Sequence, residues 1–298
     1  MPAGFWKSTL LLASITGIQL LLLTFARRGL TVTYWRYWKL NAPPFTGEGS
    51  EPLFRGSTIE EALARIEFLV TNRRHVGSIV GPNGVGKSTL LRHCAQTPMT
   101  TLDMPNVRAI RISALGKGPG ELLSIVSSEL NGGRRVEQVS EAWTNLCDFF
   151  QAAIREDIHT VLLLDDTDSC TAACEEDLCR ILSMSFPLTV LMAIESRLMS
   201  TISRNLISRT ELQVDLPAWE ISQTAEFLAW NCARLGRHDP LFTDDAVHRI
   251  QQLSYGVPRR IVHITDLALV AGAVAKVNCI DAECVEQVAW ELPKSNVA

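Results

Sequence analysis

Gly81-Pro82-Asn83-Gly84-Val85-Gly86-Lys87-Ser88-Thr89 is the stretch on which the reading of this chain turns. It fills the pattern G-x-x-x-x-G-K-[ST] with Gly81, Gly86, Lys87 and Ser88, and Gly84 adds a further hinge. The apolar run Val76 to Val80 precedes it, and Thr89-Leu90-Leu91-Arg92 continues it as a helix would. That strand–loop–helix context makes the stretch a phosphate-binding loop. The glycines let successive backbone N–H groups face one anion, and the following helix N-terminus adds partial positive charge. In such a loop Lys87 reaches the β- and γ-phosphates of ATP and the Ser88 hydroxyl ligates Mg²⁺.

A partner motif lies further along. Val161-Leu162-Leu163-Leu164-Asp165-Asp166 has the Walker B form, four apolar residues and then acids. A parallel strand delivers its last residues to the sheet's C-terminal edge, where the phosphate-binding loop also emerges. Asp165 is the expected Mg²⁺ holder, and Asp166 stands where many such ATPases carry a glutamate that orients the attacking water. Aspartate is one methylene shorter, so slow hydrolysis, or a binding switch, is expected.

Composition permits this reading. The 298 residues are 47% hydrophobic and 20% charged, enough for a substantial core in one large domain or two small ones. A net charge of −4 gives no global argument for nucleic acid, although Arg73/Arg74, Arg134/Arg135 and Arg259/Arg260 are paired. The 8 cysteines contain no C-x-x-C and no zinc-finger spacing, which reads as reduced, mostly buried thiols in a reducing compartment.

Residues 1–31 stand apart. Thr9 to Ala26 is uncharged and mostly apolar, roughly 27 Å long as a helix, just short of the ~30 Å hydrocarbon core. Arg27, Arg28, Arg36 and Lys39 follow it, which places the rest of the chain in the cytoplasm, anchored to the inner membrane's cytoplasmic face if the segment spans. The competing reading is an extension outside the working protein, with translation starting near Val32.

Along the chain, residues 32–56 read as an arm or linker, 57–217 as an ATPase domain, 218–292 as a helical lid and 293–298 as a tail. Ser57-Thr58-Ile59-Glu60 matches a capping box before a helix with Ile59, Leu63 and Ile66 in phase. Strands are expected over 107–112, 160–164, 187–194 and 210–216, with helices over 121–130 and 143–154 between them. Strands separated by helices predict a three-layer α/β/α sandwich with a parallel sheet, the P-loop NTPase architecture. After Pro217 the pattern turns wholly helical, with Thr243 as a cap and Gly256 and Pro258 as a stop.

The absence of an LSGGQ-type string between Gly81 and Asp166 excludes an ABC transporter ATPase. The order strand, P-loop, Walker B, strand, arginine-bearing segment and helical lid resembles AAA+ ATPases instead. More specifically it is similar to the ExeA/GspA-type ATPases of general secretion, relatives of the TniB-like transposition ATPases. Trp38 to Phe45 looks like that family's opening, Glu61 to Ile66 its "EAL..L" helix, and Leu188 to Leu198 its "lqivLvGqpeL" strand. Leu241-Phe242-Thr243 and Gly256-Val257-Pro258-Arg259-Arg260 look like its lid motifs. The resemblance runs from about Tyr37 to Leu292 and covers only the ATPase module of that type.

The resemblance implies an ATPase that binds ATP–Mg²⁺ and drives or switches a partner assembly, in secretion or the cell envelope. It implies Glu195 at the sensor-1 place, where the family usually has glutamine, and Arg209 as a finger reaching a neighbour's nucleotide, with Arg204 second. It implies Arg259 as the lid arginine that closes on the phosphates. The implied partners are further copies of the chain and an unidentified protein assembly. Nucleic acid is not indicated by the residues, and a membrane partner rests on residues 9–26 alone. A regulatory ATP switch and a DNA-associated ATPase of transposition or replication-initiator type stand as alternatives.

Overall fold

The computed structural model describes residues 33–45, 52–97, 106–134, 136 and 138–289. The apolar run 9–26 lies outside them, and no helix among the described residues is long and apolar enough to cross a membrane.

Five strands form one sheet: β1 (Val76–Gly81), β2 (Val107–Ser113), β3 (His159–Asp165), β4 (Leu188–Glu195) and β5 (Leu212–Asp215). They lie in the order β2-β3-β4-β1-β5, and every pairing is parallel. The unbroken apolar runs of β3 and β4 follow from burial on both faces. Val161 and Leu163 turn to one core, with Ile59, Ile66, Leu90 and Leu91 from the helices at Ser57–Thr71 and Lys87–Gln96. Leu162 and Leu164 turn to the other, against Leu122, Leu146, Phe150 and Leu178 from the helices at Glu121–Leu130, Val139–Arg155 and Ala172–Leu182. The expected sandwich is therefore present, its two layers separated by the two-residue period of the strands.

With the short helix Tyr34–Tyr37 as α1, the helices just named are α2 to α6 in chain order, and Arg204–Ile207 is α7. Four more helices follow among the described residues: α8 (Ile221–Arg234), α9 (Asp244–Ser254), α10 (Pro258–Ala275) and α11 (Ala282–Ala289). They share a separate core built on Phe227, Ile250, Ile264, Leu269 and Val285. Residues 33–45 join that core. Trp38 is 1% exposed, and its indole N–H donates to Leu269 O at 2.9 Å. Phe45 is buried beside Phe227, and Asn231 donates to the Pro44 carbonyl. The arm is thus a strap across the helical region before residues 52–56 lead into α2.

Two local readings need correction. The capping box at Ser57 does not form: Gly56 is the N-cap, without a side-chain cap bond. Ser57 instead accepts a hydrogen bond from Gln223, and Glu60 pairs with Arg55. Tertiary partners outcompete the local cap, and the capping box present is Glu220 with Gln223 at the start of α8. Pro258 does not end α9; Tyr255 closes it in the left-handed region, and Pro258 opens α10 at a first-turn position that needs no N–H.

At the sheet's other edge His159 is 2% exposed and lies 2.8 Å from Thr189 Oγ1 through Nε2. Thr189 gives its own proton to Arg74 O, so Nε2 is the donor in this contact. Burial, with Arg73 and His75 nearby, pushes its pKa down to about 4 from an ordinary 6.5. An unfolded chain takes up this proton near pH 6.5 while the folded one does not, so stability is lost as pH falls from 6.5 towards 4. The loss is about 3 kcal/mol. Denaturant unfolding at pH 7 and pH 4.5 should show a clearly shallower decline in His159→Gln than in the unsubstituted chain.

Candidate nucleotide-binding site

The P-loop leaves β1 and returns as α3, and its shape is set by contact with the lid. Gly84 has φ +83°, and a Cβ there would meet Arg259 Cβ at 3.0 Å and Val257 Cγ1 at 3.1 Å. A side chain there would be strained by the backbone and crowded by the lid. Across this contact the Arg259 N–H donates to Gly84 O at 3.1 Å, and its guanidinium to Asn83 Oδ1 at 3.0 Å. Arg259 is delivered there by Gly256, at φ +70°, where a Cβ would sit 2.1 Å from the Trp219 carbonyl oxygen. The G-x-P-R string thus packs a chain crossing, starts α10 with proline and aims its arginine at the P-loop.

Lys87 begins α3 and bends back over the loop. Its ammonium donates to Gly81 O at 2.8 Å and Pro82 O at 3.0 Å, leaving a third N–H with no protein acceptor among the described residues. Burial holds its pKa below the usual lysine range; Glu195, Asp168 and Asp165 pull it back up, and Arg259 pushes it further down. The N–H groups of Lys87, Ser88 and Thr89 are in the first turn, where a helix has no acceptor of its own. The loop therefore presents backbone donors, a helix N-terminus and an ammonium to one point.

Ser88 Oγ donates to Asp165 Oδ1 at 3.0 Å, and Asp165 is buried. A hydroxyl and a carboxylate in contact are hard oxygen donors of the kind that Mg²⁺ takes beside nucleotide phosphates, so these residues fit that ion. Asp165 Oδ2 receives a second bond, 2.6 Å long, from Arg111 on β2. Asp166 follows in the left-handed region at φ 53° and accepts from Ser113 Oγ at 2.9 Å. Glu195 ends β4 directly opposite Gly81 in the sheet register.

Asn83, Gly84, Val85, Gly86, Lys87, Ser88 and Thr89 line a cavity of about 510 Å³ together with Asp165, Asp166, Glu195 and Arg259, whereas Gly81 and Pro82 lie outside its lining and meet the site through their carbonyls on Lys87. Its far wall was not legible in the sequence. Phe54, Trp219 and Phe227 meet there with ring centroids 5.1–5.6 Å apart, and Pro52, Leu53 and Val262 complete an apolar surface. The strap, the lid and the sheet edge each contribute to it, and no spacing rule links them. The aromatic density over Phe54, Trp219, Phe227 and Trp230 was the available signal. Arg111 and Ser113 were missed as well; an arginine inside an apolar strand hints at a buried acid beside it.

Arg209 and Arg204 are not brought to this cavity. Arg209 donates to Ser183 Oγ at 3.2 Å, near the N-terminal ends of β4 and β5, and Arg204 is exposed at the start of α7. Among the described residues no group of three or more His, Cys, Asp or Glu side chains is arranged to hold a metal on its own. The 8 cysteines are unpaired thiols.

Fold and site define the class: a P-loop α/β protein, a parallel sheet followed by a helical region. Residues 70–202 match the family model described as an AAA domain. The structure is similar to the Thermotoga maritima RuvB Holliday junction branch migration motor, at TM-score 0.54 and 19% identity over 80% of this chain and 70% of that one. It is similar to the Aeropyrum pernix ORC2 protein at TM-score 0.64 and 18% identity, over 84% and 72% of the two chains. It is also similar to Drosophila ORC bound to DNA at TM-score 0.63 and 21% identity, over 83% and 63%. No curated protein matches the sequence.

With Lys87 the ammonium that lines this cavity, Lys87→Ala is expected to abolish binding of a fluorescent ATP analogue. Micromolar affinity retained by that variant in a titration would mean that the phosphates lie elsewhere.

Proposed function

We propose that the chain is an ATPase that binds ATP with Mg²⁺ in the cavity between sheet edge and lid, and that works as a homo-oligomer on a partner assembly. The observation that carries this is the convergence of Lys87, the Ser88–Asp165 pair and Arg259 on one cavity with an aromatic far wall. The base stacks among Phe54, Trp219 and Phe227, and the triphosphate lies along residues 81–89. Mg²⁺, when bound, offsets charge on the β- and γ-phosphates. Lys87 and Arg259 supply fixed positive charge where the transferring phosphoryl group gains negative charge.

Asp166 orients the attacking water and accepts its proton. Its reach is short, and Ser113 holds one of its oxygens. These two features favour slow turnover, and a nearly silent ATP switch is the second reading. Glu195 lies beside the phosphate end, where a carboxylate repels phosphate, so it acts there through water. Arg209, which faces away from its own cavity, is assigned to the neighbouring subunit's nucleotide. The ordered motifs shared with ExeA/GspA-type ATPases support a secretion or cell-envelope partner. A DNA-associated role draws support from the fold shared with ORC and RuvB.

Turnover is expected to climb with protein concentration as copies assemble. Arg209→Ala should lower turnover and abolish that climb while leaving ATP affinity within about twofold, a separation expected of a group that acts on the transition state alone. Equal loss of affinity and turnover would make Arg209 structural. Asp166→Glu should raise turnover if a short acid limits the rate; steady-state phosphate release reads both.

A further inference from the structure

Both oxygens of Asp165 are already engaged within the chain: Oδ1 by Ser88 at 3.0 Å and Oδ2 by Arg111 at 2.6 Å. The carboxylate is 5% exposed and the guanidinium side chain 32%. Arg111 stands on the edge strand β2, two residues before Ser113 and on the same face. The strand's other arginine, Arg108, donates only to the carbonyls of Glu129 and Leu130. Arg111 is therefore the β2 residue set against the buried acid. A carboxylate held this far from water needs a counter-charge, and here a covalently attached cation supplies it. A divalent cation at Ser88 and Oδ1 would share the same carboxylate and face the guanidinium's charge across it.

We propose that Arg111 is a positioning residue that serves as the resident counter-ion of Asp165. It turns Oδ1 towards Ser88 and lowers the site's affinity for free Mg²⁺, so that the metal enters only together with nucleotide phosphates. The charge that Arg111 cancels is the charge Mg²⁺ would otherwise find, and the phosphates restore it. The inference rests on the Mg²⁺–nucleotide reading of the cavity.

The test uses the full chain, with Arg111→Met and Arg111→Gln as two neutral variants and Arg111→Lys as the charged one. Binding of a fluorescent ATP analogue is titrated against Mg²⁺, and melting is followed with and without Mg²⁺ alone. The neutral variants should reach half-saturation at several-fold lower Mg²⁺, and Mg²⁺ alone should raise their melting temperature while leaving the unsubstituted chain unmoved. Arg111→Lys should stay near the unsubstituted chain on both readouts. A half-saturation equal or higher in the neutral variants overturns the proposal. So does failure of both to fold even with Mg²⁺, which would make the pair purely structural. If the unsubstituted chain binds no analogue at any Mg²⁺ concentration, the nucleotide reading fails and the inference falls with it. Binding with unaltered Mg²⁺ dependence sinks the inference alone.

Discussion

The 3.0 Å hydrogen bond from Ser88 to Asp165 joins the first turn of α3, which follows β1, to the last residue of β3, although β1 and β3 are not neighbours. β4 lies between β1 and β3, so the contact requires all three to run parallel and to end at one edge. The burial of the strands on both faces fixes that geometry. Val161 and Leu163 on one side, and Leu162 and Leu164 on the other, lock β3 in place. A one-residue slip would exchange the two faces and carry Asp165 away from Ser88. The site is thus a consequence of sheet register before it is a matter of motif.

The lid completes what the sheet edge begins. The Arg259 N–H to Gly84 O bond fixes the lid against the P-loop, and the Trp219 backbone, pressed against Gly256, sets where the lid helices start. The strap adds a third attachment. Trp38 and Phe45 are buried in the lid core while Phe54 turns into the cavity wall. Strap and lid therefore share one core, and any movement of α10 relative to the P-loop carries the strap with it. This places P-loop, lid and N-terminal arm in one mechanical chain.

Much of this was legible in the sequence because it is local. The P-loop residues 81–89 and the Asp165–Asp166 pair announce themselves by spacing, and the apolar runs of β1, β3 and β4 announce burial on both faces. Helix Glu121–Leu130 ends where Asn131-Gly132-Gly133 breaks its pattern. Arg259 followed from its motif, although the motif's role in packing against Trp219 did not. What stayed hidden depends on contacts distant in sequence. Ser57 looked like a cap but is taken by Gln223, and Phe54, Trp219 and Phe227 meet only after three segments have packed. Arg111 finds Asp165 only because β2 pairs with β3. The apolar run 9–26 lies outside the described residues.

The central claim is that one cavity, floored by the P-loop and walled by strap and lid, holds ATP with Mg²⁺. A crystal structure of the chain with a non-hydrolysable ATP analogue and Mg²⁺ tests it most directly. The account predicts the triphosphate along residues 81–89, the metal at Ser88 on the side of Asp165 Oδ1, and the base among Phe54, Trp219 and Phe227. An analogue bound elsewhere, or a base turned out into solvent with the aromatic wall untouched, would contradict it.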